Sequence, residues 1–132
     1  MREILFRGKD IINGKWITGS LVDGKHIGCW VEANPVRPET VGQFTELTDK
    51  NGVKIFEGDI VVYDNTPYNA YGHRVVGVMV WHKWMWKFRY KEYESTYHYS
   101  CGSEDFFGGK SEVIGNIHDN PELLENITHQ SQ

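Results

Sequence analysis

Residues 77–93 read GVMVWHKWMWKFRYKEY: three tryptophans, one phenylalanine, two tyrosines and four cations within seventeen positions. Such a stretch is either a groove in which bases stack between positive charges, or strands of a small β fold written in bulky residues. A single strand of that length would be about three times the usual one, so the stretch reads as a hairpin: GVMVWH up, a reversal near Lys83 to Trp86, and KFRYKEY down. Strict alternation along it puts Val78, Val80, His82, Trp84, Trp86, Phe88 and Tyr90 on one face. Met79, Trp81, Lys83, Met85, Lys87, Arg89 and Lys91 fall on the other. On the second limb Phe88 and Tyr90 oppose Lys87, Arg89 and Lys91 whatever the turn does to the phase. The expectation is a core face backed by a solvated basic one.

The rest of the chain reads as short strands and turns. EILFR (3–7) and KWITGSLV (15–22) are strand-like, with a turn from Gly8 to Lys15 between them. Asp23-Gly24 is a two-residue hairpin signal, because both central positions of a type I′ turn need φ > 0. KHIGCWVE (25–32) returns from it. Asn34-Pro35-Val36-Arg37-Pro38 cannot be a central strand, since each proline lacks a donor, and it is the expected boundary or crossover. TVGQFTEL (40–47), VKIF (53–56), IVVY (60–63) and SEVIGNI (111–117) are further strands, with Gly52 expected at a turn with positive φ. Residues 64–73 and 102–110 read as loops. Only DNPELLENI looks helical, with Asn120 as N-cap and Pro121 at the first helical position.

Length and composition fit one ordinary domain or two very small ones: 132 residues, 39% hydrophobic, 24% charged and 14% aromatic. Two cysteines, Cys29 and Cys101, make no disulfide framework and suit a reducing compartment. The start, MREILFRGKD, carries no apolar run of signal-peptide length, and no stretch approaches the ~20 apolar residues of a membrane span. The expectation is a cytoplasmic protein with no membrane contact.

Charge decides between the two readings of 77–93. The net charge is −4. Residues 1–57 hold eight cations and eight anions, whereas 58–132 hold six cations and ten anions. Lys83, Lys87, Arg89 and Lys91 cluster without an acid between them, yet residues 92–125 hold eight acids against Lys110 alone. A nucleic-acid domain normally shows a basic balance, so the ordinary strand is the better reading. The alternative needs Trp81, Lys83, Lys87, Arg89 and Lys91, with Trp84, exposed together to stack bases and track phosphates. These six residues are the candidate binding site.

No catalytic or metal motif competes. The stretch from Gly8 to Lys15 has the wrong spacing for a phosphate loop, and Trp16 stands where Ser or Thr would hold magnesium. His98 and Cys101 are three apart, but no second pair accompanies them, with His73 and His82 elsewhere, so no four-ligand zinc site is expected. Neither cysteine has a base at a spacing that marks a nucleophile. Asp59 follows Gly58 at a strand entrance and reads as a turn residue. No cofactor is expected.

Two stretches carry a resemblance. ETVGQFTELTDKNGVKIFEGDIV (39–61) and EVIGNIHDNPELL (112–124), with REILFRGKD and GKWITGSL at the start, closely resemble the YopX protein family of bacteriophages and prophages. The resemblance weakens over 64–110, and Glu46 stands where a TGL-like run would carry glycine. It implies an all-β fold: an N-terminal β-hairpin part over 1–57, then an SH3-like barrel over 58–132 entered at the GDIV strand, with a short C-terminal helix. It brings no assigned activity, cofactor or catalytic residue. The functional expectation is therefore a non-enzymatic phage or prophage accessory protein acting through binding or self-assembly. Its partner would be its own copies, as a homo-oligomer, or another protein; a nucleic-acid-binding SH3-like module is the alternative.

Overall fold

The computed structural model describes residues 4–22, 25–28, 34–64, 74–83, 85–92, 95–100 and 110–124. The protein is all-β, with eleven strands among these residues in two antiparallel sheets, neither of them closed. By backbone proximity it divides into two compact units, Met1–Glu46 and Leu47–Gln132.

In the first unit β1 (Phe6–Lys9), β2 (Trp16–Val22), β3 (His26–Gly28), β4 (Asn34–Pro35) and the start of β5 (Gly42–Thr48) pair in the order β4-β3-β2-β1-β5. Gly8 was expected to open a turn; instead it lies inside β1, paired with Ile17. A side chain there would press on Val36 (3.0 Å) and Ile27 (3.2 Å), both fully buried, so glycine lets the strand close on this small core. The turn proper spans residues 10–15, and Asp10 builds it by accepting hydrogen bonds from Ile12 N (2.7 Å) and Asn13 N (3.3 Å). The proline stretch is an edge strand rather than a crossover: His26 pairs with Pro35, where a missing N–H costs the ladder little. Val36 then bridges Asp10, and a 3-10 turn (Pro38–Thr40) leads into β5. The Asp23-Gly24 turn lies outside the described residues.

β5 changes phase along its length. Gly42 and Phe44 are buried at even positions, but Thr45 is also buried and Glu46 is exposed. Glu46 has φ 72, the left-handed region that glycine enters without cost. This is the position where a glycine was expected, and glutamate has taken the glycine conformation.

The second unit takes up the end of β5, then β6 (Lys54–Phe56), β7 (Asp59–Asp64), β8 (Arg74–His82), β9 (Met85–Glu92), β10 (Ser95–Ser100) and β11 (Ser111–Asn116). Gly52, at φ 80, turns β5 into β6 as expected. The last five strands form an open sheet in the order β10-β9-β8-β7-β11: a four-strand meander whose fifth strand returns beside the first. Strand β10 was not foreseen from its residues. Residues 122–124 are helical, one turn after Asn120, as the capping pattern predicts.

Both faces of this sheet are apolar at its centre. On one, Ile55, Val61, Met79, Phe88 and Tyr90 form a buried cluster. On the other, Ile60, Val62, Val76 and Val78 pack with Val80 and with Leu123 and Leu124 of the C-terminal helical turn. Gly77 stands in the middle because a Cβ would run into the Arg89 carbonyl oxygen and meet the Phe88 ring at 2.9 Å.

Candidate functional site

The hairpin of 77–93 exists, and its register overturns the expected faces. β8 begins earlier than read, at Arg74, and pairs with β9 from Gly77↔Tyr90 to His82↔Met85. Only Lys83 and Trp84 separate the limbs, and Lys83 has φ 50, the conformation a two-residue hairpin turn imposes on a residue without glycine's freedom. Residues directly opposite in an antiparallel pair share a face. A two-residue turn links even positions on one limb to odd positions on the other. Trp81 and Met79 therefore lie with Trp86, Phe88 and Tyr90, whereas Val78, Val80 and His82 lie with Met85, Lys87, Arg89 and Lys91.

The six candidate residues fall as follows. Trp81 is 51% exposed and meets Trp86 edge to face, ring centroids 5.0 Å apart. The row continues through Phe88 against Tyr90 (5.7 Å) to Tyr97 of β10 stacked on Tyr90 (5.3 Å), with Tyr97 again exposed. Lys83 is exposed at the turn; Arg89 and Lys91 are exposed and Lys87 half-buried on the opposite face. Trp84 lies outside the described residues. The hairpin thus offers an aromatic row on one side and a basic strip on the other. A single strand that tracks phosphates while stacking its bases needs both on the same side.

The second arrangement was legible only as turns. Asp49, buried, accepts from Asn51 N (2.8 Å) and Val53 N (2.9 Å) through one oxygen and from Val113 N (2.9 Å) through the other. Lys50 N donates to the Ser111 carbonyl at 2.9 Å, so the β5–β6 turn closes on β11, with Lys50 Nζ 3.7 Å from Glu112. Asp59, also buried, accepts from Phe56 N (2.7 Å). Between them Gly58, at φ 88, donates to Met79 O and accepts from Ile117 N. Beyond β11, Asn116 Oδ1 accepts from His118 N (3.0 Å) and Asp119 N (2.9 Å), while Asn120 Oδ1 accepts from Asn116 N (3.3 Å). Gly115 leaves room for that Asn120 side chain, which would stand 2.6 Å from a Cβ. The Asp49, Asp59, Asn116 and Asn120 oxygens thus accept from backbone N–H groups, and Asn116 Nδ2 donates to Asp119 Oδ2 at 3.1 Å. Among the described residues no three His, Cys, Asp or Glu side chains are grouped as metal ligands. His73 and Cys101 lie outside the described residues.

Those turns are the two stretches that carried the resemblance, 39–61 and 112–124. A sequence model of the YopX protein family matches residues 22–125. The chain belongs to the YopX family. The match spans both blocks and the hairpin between them. No functionally curated protein matches the sequence. Among solved structures, the chain is similar to one described as the crystal structure of protein EF1440 from Enterococcus faecalis. The identity is 24%, over 92% of this chain and 98% of that one, with a TM-score of 0.47. Among the described residues no helix is long and apolar enough to cross a membrane.

Proposed function

We propose that this YopX protein is a non-enzymatic phage or prophage accessory protein of the cytoplasm that works by binding through its β8–β9 hairpin, as a homo-oligomer. The observation that carries the reading is the division of the hairpin into two faces. An exposed tryptophan braced by a second one is the kind of anchor protein interfaces use, and the charges on the hairpin's other face steer association more than they hold it. The opposite charge is at hand in the eight acids of residues 92–125. The second unit is read as an SH3-like barrel left open at β10, on the strength of its meander and returning fifth strand. Barrels of that kind bind peptides, nucleic acids or other subunits, so the site and not the fold carries the argument.

Sedimentation equilibrium at micromolar concentration tests it. The expected result is an oligomer that Trp81→Ala weakens and that Lys87→Glu with Arg89→Glu disrupts. A 15.3 kDa monomer at low and moderate salt would overturn self-assembly, and an oligomer indifferent to all three changes would move the contact off the hairpin. A single-stranded oligonucleotide titrated in parallel checks the other reading. If the strip neutralised about four phosphates, log K would fall with log salt at a slope of roughly −3. The proposal expects no binding at physiological salt.

A further inference from the structure

The chain holds two Asn-Gly pairs, Asn13-Gly14 and Asn51-Gly52. Both stand exposed in turns, with the glycine at positive φ, 70 and 80 respectively. An asparagine followed by glycine is open to attack on its own side-chain amide, because glycine carries no side chain to shield its backbone nitrogen. At neither glycine does any atom stand within 4 Å of the place a Cβ would take. One restraint is common to the two turns: Gly14 N donates to Asp10 O (2.9 Å) and Gly52 N to Asp49 O (3.0 Å).

The pairs differ in how the asparagine side chain is held. Asn13 Oδ1 accepts from Lys15 N at 2.8 Å, which fixes the amide group over its turn. Asn51 donates its backbone N–H to Asp49 Oδ1, and among the described residues its side chain has no hydrogen-bond partner. The Asn51 side chain can therefore rotate to bring Cγ onto Gly52 N.

We propose that Asn51 is a site of spontaneous deamidation, and that its conversion loosens the β5–β6 turn from β11. Gly52 N gives its proton to solvent base and bonds to Asn51 Cγ. The Cγ–Nδ2 bond breaks, and the nitrogen leaves as ammonia after taking up a proton. Water then opens the resulting succinimide at either carbonyl, giving aspartate or isoaspartate. Water is the only co-reactant and nothing is oxidised or reduced. The place of the reaction gives it a consequence. Asp49 Oδ1 accepts from Asn51 N (2.8 Å) on one side of the reacting link and from Val53 N (2.9 Å) on the other. Isoaspartate inserts a methylene into the main chain between those two donors, and both products add a negative charge beside the buried Asp49 carboxylate. The other oxygen of that carboxylate holds Val113 N of β11 at 2.9 Å, so the strain passes to β11. The site is independent of the hairpin and of what the hairpin binds.

The test holds the full-length protein in mildly alkaline buffer and follows both asparagines by peptide mapping with mass spectrometry. A urea-unfolded sample corrects each rate for its different neighbours, Ile12 and Lys50. The ratio of folded to unfolded rate should be about fivefold higher at Asn51 than at Asn13, the factor that breaking one ordinary hydrogen bond costs. Aspartate and isoaspartate forms of the Asn51 peptide should both appear, with ammonia released. Equal ratios at the two sites overturn the proposal, as does a folded chain in which Asn51 persists while the unfolded chain converts fully. Amide exchange then compares converted with fresh protein. Val113 should exchange about tenfold faster after conversion. In Asn51→Gln held the same way, Val113 should stay slow, since the longer side chain closes the corresponding ring less readily. A Val113 amide as slow in converted protein as in fresh contradicts the loosening of β11. Equal loosening in Asn51→Gln contradicts it too, by placing the cause at another residue.

Discussion

In the turns around Asp49, Asp59 and Asn116, side-chain oxygens accept hydrogen bonds from backbone N–H groups that the strands leave over. In the β8–β9 hairpin the ladder runs unbroken from Gly77↔Tyr90 to His82↔Met85, and Arg89 and Lys91 extend into solvent. The first region turns its side-chain oxygens onto the backbone of the fold. The second lies within the same YopX match, residues 22–125, and leaves Arg89, Lys91 and the Trp81 ring exposed. The first region is a junction of turns.

Changes that break the junction or the hairpin's backbone should therefore cost stability, and changes to the hairpin's exposed side chains should not. The largest effect is expected at Gly77, where a methyl group meets the Arg89 carbonyl and the Phe88 ring. Gly77→Ala should destabilise by about 3 kcal/mol in urea denaturation, because packed backbone cannot give way as a side chain can. An unchanged midpoint would mean the strands sit further apart. Next comes Gly115→Ala, which displaces Asn120 from the Asn116 amide and should cost about 2 kcal/mol. An amide exchange rate at Asn116 equal to wild type would contradict that assignment.

Glu46→Gly runs the other way. Glutamate at φ 72 is strained, and glycine relieves it while giving up some unfolded-state entropy, so a net gain of about 0.5 kcal/mol is expected. A loss of stability would show that the glutamate side chain earns its place. Smallest of all, Arg89→Ala or Lys91→Ala should leave stability within about 0.5 kcal/mol of wild type. A loss above 1 kcal/mol would show the basic strip to be part of the fold.

Much of this architecture is legible in the residues. Gly52 in Asp-Lys-Asn-Gly, the hairpin of 77–93 and the helical turn after Asn120-Pro121 each follow from local chemistry that no tertiary contact overrides. The misses have physical causes. Gly8 reads as a turn residue until the closeness of Val36 and Ile27 is known, since a strand glycine is explained by what lies across from it. Strand β10, Ser95–Ser100, is an edge strand of polar and aromatic residues with no apolar alternation to announce it. The faces of the hairpin depend on the parity of one short turn: moving the reversal by a single residue exchanges every side chain on one limb. The candidate residues were visible as a set, and Trp81, Lys83, Arg89 and Lys91 are exposed. Their separation onto two faces was not visible, because composition carries no register.

Amide hydrogen exchange at Val113 tests most directly whether the polar residues of these turns serve the fold. Asp49 holds that amide across the junction at 2.9 Å. In Asp49→Ala, exchange at Val113, Asn51 and Val53 should accelerate by about a hundredfold, as expected when buried donors lose their acceptor. Arg89→Ala measured alongside should leave all three amides as slow as in the wild type. If Val113 stays equally protected without the Asp49 carboxylate, the junction is not what holds β11, and the contrast between the two regions fails.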